Sequence, residues 1–227
     1  MYCLSDIFML FLRQKQITDE GGVKHGFFQN TRKPEGVGGK IMLNMMNVGH
    51  SGMAEWGFRH IDVHDGDVCL DIGCGGGANV KRLLEKSGRG RVIGLDYSEV
   101  SVEKSRKVNQ MAIEAGSCEI LQGNVMQLPF GKAAFDVITA FETIYFWPDI
   151  DKAFAQVYSA LKPGGTFMVC NEVSGEKAGD KKWMDIVQGL RIYAPDVIAD
   201  ALTSAGFSGV KTDKNAKGWV CFACRKA

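Results

Sequence analysis

The sequence predicts an α/β sandwich of three layers. A seven-stranded, mostly parallel sheet with an antiparallel last strand lies at its centre, and a helical segment precedes it. From Asp67 onward, strand-length apolar runs alternate with stretches of helical periodicity, the pattern of a β-α-β-α chain. The first run breaks at a glycine-rich turn, Gly73-Cys74-Gly75-Gly76-Gly77. The last two runs are separated only by the polar turn Asp213 to Gly218, so short a link that they must pair antiparallel.

Taken in order, Val68 to Ile72 reads as the first buried strand, and a helix from Ala78 to Lys86 follows, stopped by Ser87-Gly88. Arg91 to Asp96 is the second strand. Ser98 caps the next helix, where Val108, Met111, Ala112 and Ala115 fall at i, i+3, i+4 and i+7 and predict one core-facing stripe that Gly116 ends. Strands follow at Cys118 to Gln122 and Phe135 to Phe141. The helix after Pro148-Asp149 carries Ile150, Phe154, Val157 and Leu161 on one face, and Lys162-Pro163-Gly164-Gly165 terminates it. Thr166 to Cys170 is the fifth strand, and a short helix is expected around Trp183 to Leu190. Pro195 opens a helix that Gly206 closes, and strands at Val210 to Thr212 and Trp219 to Cys224 complete the set.

Residues 1–60 differ and are expected to form a helical cap or lid, with 61–227 as the main domain. The run Ile7 to Leu12 is six residues long, far below the roughly 20 that a spanning helix needs. A flexible loop, Pro34 to Gly39, leads to a methionine-rich helix, Lys40 to Asn47, apolar almost all round. Gly49-His50-Ser51-Gly52 breaks it before a second short helix through Trp56 to His60. Met42, Met45, Met46 and Met53, with Trp56 and Phe58, suit an adaptable apolar cover over a pocket or a shield for one sheet edge.

The 227 residues carry 27 Lys+Arg against 26 Asp+Glu, a net charge of +1, which disfavours nucleic acid as a partner. No secretory leader or membrane association is expected. Seven cysteines, an odd number at irregular spacing, read as reduced thiols and a cytoplasmic location. Cys221 and Cys224 are three apart on a strand and face opposite ways, so no metal site is expected there or elsewhere.

The chemistry concentrates around the glycine turn. Glycines there let the backbone turn sharply and approach a ligand beneath the positive end of a helix. Gly73, Gly75 and Ala78 also satisfy a dinucleotide-binding pattern, so the turn alone leaves a nicotinamide-dependent oxidoreductase open. Asp71 ends the first strand, where it would repel a pyrophosphate and attract an ammonium or sulfonium. Asp96, 25 residues later at the end of the second strand, can accept from both hydroxyls of a ribose. The pair suits an adenosyl cofactor with a cationic amino-acid tail.

With these residues the chain resembles the class I S-adenosylmethionine-dependent methyltransferases, in the small-molecule branch that includes ubiquinone and menaquinone C-methyltransferases. Four blocks carry the resemblance: Val68 to Gly77; Val92 to Ser98; Leu128-Pro129-Phe130 leading to Phe135-Asp136-Val137-Ile138; and Leu161 to Phe167. It covers roughly Asp67 to Ala227 and implies a Rossmann-like sheet with the last strand between the fifth and sixth. It implies that Asp71 holds the methionine end directly or through water, and that Gly73, Cys74, Gly75 and Gly77 form the floor. Asp96 would bind the ribose, Tyr97 would lie against the adenine, and Asn124-Val125 would read the adenine edge. Phe141 would complete the cleft. The cofactor implied is S-adenosyl-L-methionine, leaving as S-adenosyl-L-homocysteine.

Methyl transfer is an in-line displacement in which alignment supplies most of the acceleration, and a base is needed only when the acceptor must lose a proton. Candidates for that role are Glu142 and Tyr145, just past the fourth strand, and His50 on the expected lid, with Glu172 beyond the fifth strand a weaker one. Phe146 and Trp147 would wall the acceptor site, and the acceptor would be a small, partly apolar or aromatic molecule. Association of two copies through the N-terminal helices, and a cofactor-binding module without turnover, are left open.

Overall fold

A computed structural model describes residues 50–176, 180, 184–185 and 187–227. The helices expected at Ile7 to Leu12 and Lys40 to Asn47, the loop Pro34 to Gly39, and Trp183 lie outside the described residues.

Seven strands form one sheet: β1 (Val68–Ile72), β2 (Arg91–Asp96), β3 (Cys118–Gln122), β4 (Phe135–Phe141), β5 (Leu161–Asn171), β6 (Phe207–Lys214) and β7 (Val220–Lys226). Their order is β3-β2-β1-β4-β5-β7-β6, with β7 antiparallel to both neighbours and the other pairs parallel. The strand order therefore reverses between β1 and β4, and the crevice beyond their carboxyl ends is where such sheets bind ligands.

Helices cover both faces. On one, α1 (Ser51–Gly57), α2 (Ala78–Ser87) and α3 (Glu99–Val108) place Met53, Val80, Leu83 and Val102 against Cys69, Val92, Val137 and Met168. A five-residue helix, α4 (Gln110–Glu114), follows α3. On the other face, α5 (Ile150–Ala160) and α6 (Pro195–Ser204) set Phe154, Val157, Ile198 and Leu202 against Leu70, Ile138, Phe167 and Phe222. Each fully buried side chain of this size contributes about 1.5–3 kcal/mol by leaving water.

Helix starts follow local chemistry. The Ser98 hydroxyl accepts from the Ser101 amide at the start of α3, and the Asp149 carboxylate accepts from the Lys152 amide at 3.0 Å at the start of α5. The helix at the N-terminal edge begins at Ser51, inside the expected break, and Gly57 lets it pack tightly, because a Cβ there would lie 2.9 Å from Cys170 Sγ.

Three expectations are corrected. The helix after Ser98 divides at Asn109, and of its expected stripe only Ala112 packs against the core: Met111 is 86% exposed, and Val108 and Ala115 are also exposed. The inward face is Ser101, Val102, Ser105 and Asn109, since only small or hydrogen-bonding groups fit against Gly77, where a Cβ would lie 2.5 Å from Ser105 Oγ. Lys162 to Gly165 belongs to the start of β5, where the pairing with β4 shifts register and Lys162 Nζ lies 2.7 Å from Asp136 Oδ2. β6 extends well beyond Val210 to Thr212; its side chains are largely polar because it forms the sheet edge.

Candidate functional site

The glycine turn leaves β1 at the strand-order reversal. Gly73, Gly75 and Gly77 all have positive φ (73°, 51° and 83°), a region that side chains avoid. The Gly73 and Cys74 amides donate to the Leu95 carbonyl at 2.7 and 3.1 Å, tying the turn to β2. A Cβ on Gly73 would land on Thr143, so the turn also abuts the segment just past β4.

Asp96 is held at the end of β2. Its Oδ2 accepts from the Gly75 amide and its Oδ1 from the Ser98 amide, each at 2.8 Å. Burial pushes its pKa up while these amides pull it down. The Ser101 hydroxyl and the Tyr97 amide add further hydrogen bonds that favour the carboxylate form. Tyr97 beside it is 60% exposed, a broad ring at the crevice. These donors and acceptors fit an adenosyl group.

Asp71 is 1% exposed, beneath the turn, and its Oδ1 accepts from the Thr139 hydroxyl at 2.7 Å. Burial raises its pKa to about 7, opposed by the Thr139 bond and reinforced by the Asp96 charge. A cationic cofactor tail would have to reach its other oxygen.

Several expected contacts are turned elsewhere. The Cys74 thiol is buried and points to Ser105 Oγ, 3.8 Å away. The Phe141 ring stacks obliquely on Phe58 at 5.0 Å on the α1 face, and the Val125 side chain belongs to the opposite core, so either could touch a ligand only through its backbone. Asn124 Oδ1 accepts from the Met126 amide at 2.9 Å, which engages the acceptor expected to read adenine. Trp147 is core: it lies 5.9 Å from Phe154, and its indole N–H donates to Thr143 Oγ1 at 3.3 Å. Met53 and Phe58 pack on the sheet face, and Trp56 lies 6.1 Å from Trp219. The apolar alternation of strand and helix carries these rings inward.

Glu142, Tyr145 and His50, scattered in sequence, converge with Glu172 at the ends of β4 and β5. The Phe141–Cys170 register sets Glu142 beside the residues following β5, and the Glu142 amide donates to the Cys170 carbonyl at 3.0 Å. Glu142 has φ +57° and is 7% exposed, and its Oε1 accepts from the Glu172 amide. The Tyr145 hydroxyl lies 3.4 Å from that oxygen and is fixed by Val173, whose amide donates to it and whose carbonyl accepts from it, both at 3.0 Å. His50 Nε2 is 3.8 Å from Glu172 Oε2. Burial and the Glu172 charge drive the Glu142 pKa well up; burial and Glu142 do the same to Tyr145, and burial lowers His50 to about 4. Glu172 stands one residue past β5, on the strand beside β4, and that register brings it to Glu142. Thr139 under Asp71, and Ser105 under the turn, carried no motif signal.

Residues 70–169 match the family described as a methyltransferase domain. The chain is 32% identical over 162 residues to 24-methylenesterol C-methyltransferase 2 of Arabidopsis thaliana, covering 66% of this chain and 44% of that protein. It is 26% identical over 154 residues to a sterol 24-C-methyltransferase of Saccharomyces cerevisiae, covering 64% and 40%. The chain thus spans less than half the length of these relatives. Among solved structures, a chain of the complex between the Haloferax volcanii Trm112 methyltransferase activator and a methyltransferase superposes with a TM-score of 0.75 at 21% identity, over 81% of this chain and 92% of that one. Geranyl diphosphate C-methyltransferase from Streptomyces coelicolor, solved with Mg2+, geranyl diphosphate and S-adenosyl-L-homocysteine, gives a TM-score of 0.68 at 15% identity, over 79% and 78%. These solved structures establish the fold. Among the described residues, no helix is long and apolar enough to cross a membrane. The glycine turn and its two strand-end carboxylates, Asp71 and Asp96, all lie within the stretch that matches the methyltransferase domain.

Proposed function

We propose that the chain transfers the methyl group of S-adenosylmethionine to a small, partly apolar acceptor. The observation that carries this reading is the Asp96 carboxylate, pinned by the Gly75 and Ser98 amides over a turn of positive-φ glycines at the strand-order reversal. The cofactor supplies a methyl group already activated by positively charged sulfur. Asp96 would hold the ribose, Tyr97 would lie against the adenine, and Asp71 would favour the cationic amino-acid end. Gly73, Gly75 and Gly77 would let the backbone approach closely.

The contact between the turn and Thr143 puts Glu142 next to that cleft, so Glu142, Tyr145, Glu172 and His50 would face the acceptor. They would orient it, and the neutral His50 imidazole would receive its proton where the reaction releases one; proximity supplies most of the rate. His50 comes from the segment before residue 61, which supports that segment as part of the acceptor cover. The sequence resemblance to quinone methyltransferases and the sterol names of the relatives share an apolar acceptor methylated at carbon, which favours that class. The described cysteines are free thiols, which supports a cytoplasmic location.

The test incubates the protein with methyl-labelled S-adenosylmethionine and panels of quinols, sterols and phenols. Label in one acceptor class, with S-adenosyl-L-homocysteine formed in equal amount, supports the reading. Cofactor binding with no transfer to any class would favour a non-catalytic module, and preferential binding of a nicotinamide dinucleotide would overturn the cofactor assignment.

A further inference from the structure

We propose that His50, Glu142 and Glu172 form a binding site for one first-row divalent cation, at the acceptor end of the cleft. The proposal rests on the placement of that cluster beside the cofactor turn, and so on the reading above. One ligand atom from each of the three residues lies within 4.8 Å of the others. This is a nitrogen and two oxygens, a donor set that suits Zn2+ or Mn2+ and, because of the imidazole, suits Ca2+ or Mg2+ less.

A close pair of carboxylates is not by itself a site. Here a second observation points to a ligand: Glu142, more than nine-tenths buried, keeps its Oε2 without a hydrogen-bond partner. Its Oε1 is already engaged by the Glu172 amide, so Oε2 is the oxygen left to bind. An unsatisfied polar group in the interior ordinarily costs about 1–3 kcal/mol, and a native fold keeps one where a ligand completes it. In register beyond the Phe141–Cys170 pair, Asn171 is 1% exposed and also has neither side-chain polar atom partnered.

The surroundings hold the donors in place. Glu142 is fixed by the backbone of the adjacent strand end, and the Tyr145 hydroxyl that stands beside it is locked on both sides by Val173. Burial keeps His50 neutral, the form that coordinates metals. Three protein ligands leave coordination positions open, as catalytic sites do and structural zinc sites do not. An acceptor bearing an oxygen donor, such as a phenol or enol methylated at the neighbouring carbon, could occupy one of them. The cation would then fix that oxygen and stabilise its deprotonated form. This narrows the acceptor from apolar molecules in general to apolar molecules with a hydroxyl beside the methylated atom. No motif marks the site, because its ligands come from three separate segments with no ligand spacing.

The experiment uses the full chain stripped with a chelator and titrated with MnCl2 or ZnCl2, followed by calorimetry and, for manganese, by electron spin echo spectroscopy. The expected result is one ion per chain, with a nitrogen coupling that disappears in His50→Ala and an affinity at least tenfold weaker in Glu142→Gln. Asp136→Asn, a partly exposed carboxylate elsewhere, should bind as the parent does. If Glu142→Gln fails to fold, the nitrogen coupling and its loss in His50→Ala decide the matter. Failure to bind one ion per chain, binding without nitrogen coupling, or binding unchanged in both site variants would overturn the proposal. Titration of S-adenosyl-L-homocysteine into the same stripped protein separates the two readings: binding there with no cation site retains the cofactor assignment alone, and a cation site without cofactor binding retains the metal alone.

Discussion

The backbone amide of Glu172 donates to the side chain of Glu142, so one carboxyl joins the ends of β4 and β5. That carboxyl is buried beside a second one, and both burial and the neighbouring charge favour its neutral form. Glu142→Gln should therefore keep the hydrogen bond and most of the stability, while methyl transfer falls by about tenfold or more where this carboxyl orients the acceptor. Thermal unfolding and turnover measured on the same preparation check both halves.

Gly73 tests the turn. At φ +73° with Thr143 where a Cβ would go, Gly73→Ala meets backbone strain and a clash together. We expect a loss of about 2–4 kcal/mol in stability and weaker S-adenosyl-L-homocysteine binding. Denaturant unfolding reads the first and calorimetry the second; a variant as stable as the parent would mean that the turn is not held as described.

Asp71 gives a pH dependence of known direction. Its folded pKa stands at about 7 against 3.8 for an ordinary carboxyl, so the fold binds its proton more tightly than the unfolded chain does. Its contribution to stability is full below about pH 4 and is lost as pH rises towards 7. Asp71→Asn should flatten that part of the stability profile. Because a cationic ligand end favours the ionised carboxylate, S-adenosyl-L-homocysteine should bind more tightly as pH rises through about 7, and the variant should lose this gain. A parent and variant with parallel profiles would contradict the assignment.

The helix after Ser98 separates packing from pattern. Met111→Gln should change stability by less than about 0.5 kcal/mol, because that side chain is 86% exposed. Ser105→Leu should cost more than about 1 kcal/mol, because it would force the helix away from Gly77 and Cys74. Reversed magnitudes in denaturant unfolding would restore the apolar stripe as the core face.

The same helix shows where sequence stopped being sufficient. Periodicity identifies a helix there, and the alternation of runs gives all seven strands, but the buried face was set by how closely the helix must approach a glycine turn. That requirement favours serine and asparagine, which carry no apolar signal. At the site, Asp71, Asp96 and the glycines were legible because one short motif and one strand end carry them. The acid cluster was legible only in part: Glu142 and Tyr145 lie three residues apart, but only the β4–β5 register brings Glu172 to them, and only the path of α1 brings His50. The Phe141 and Trp147 rings pack inward, since an aromatic residue at a strand end serves core and cleft equally well by pattern.

The most direct measurement of the cofactor assignment is calorimetric titration of S-adenosyl-L-homocysteine into the parent protein and Asp96→Ala. Saturable binding to the parent and at least about tenfold weaker binding to the variant, at a temperature where both are fully folded, is the result expected from losing a charged hydrogen-bonding partner. Equal affinity for both proteins, or none for the parent, would contradict it.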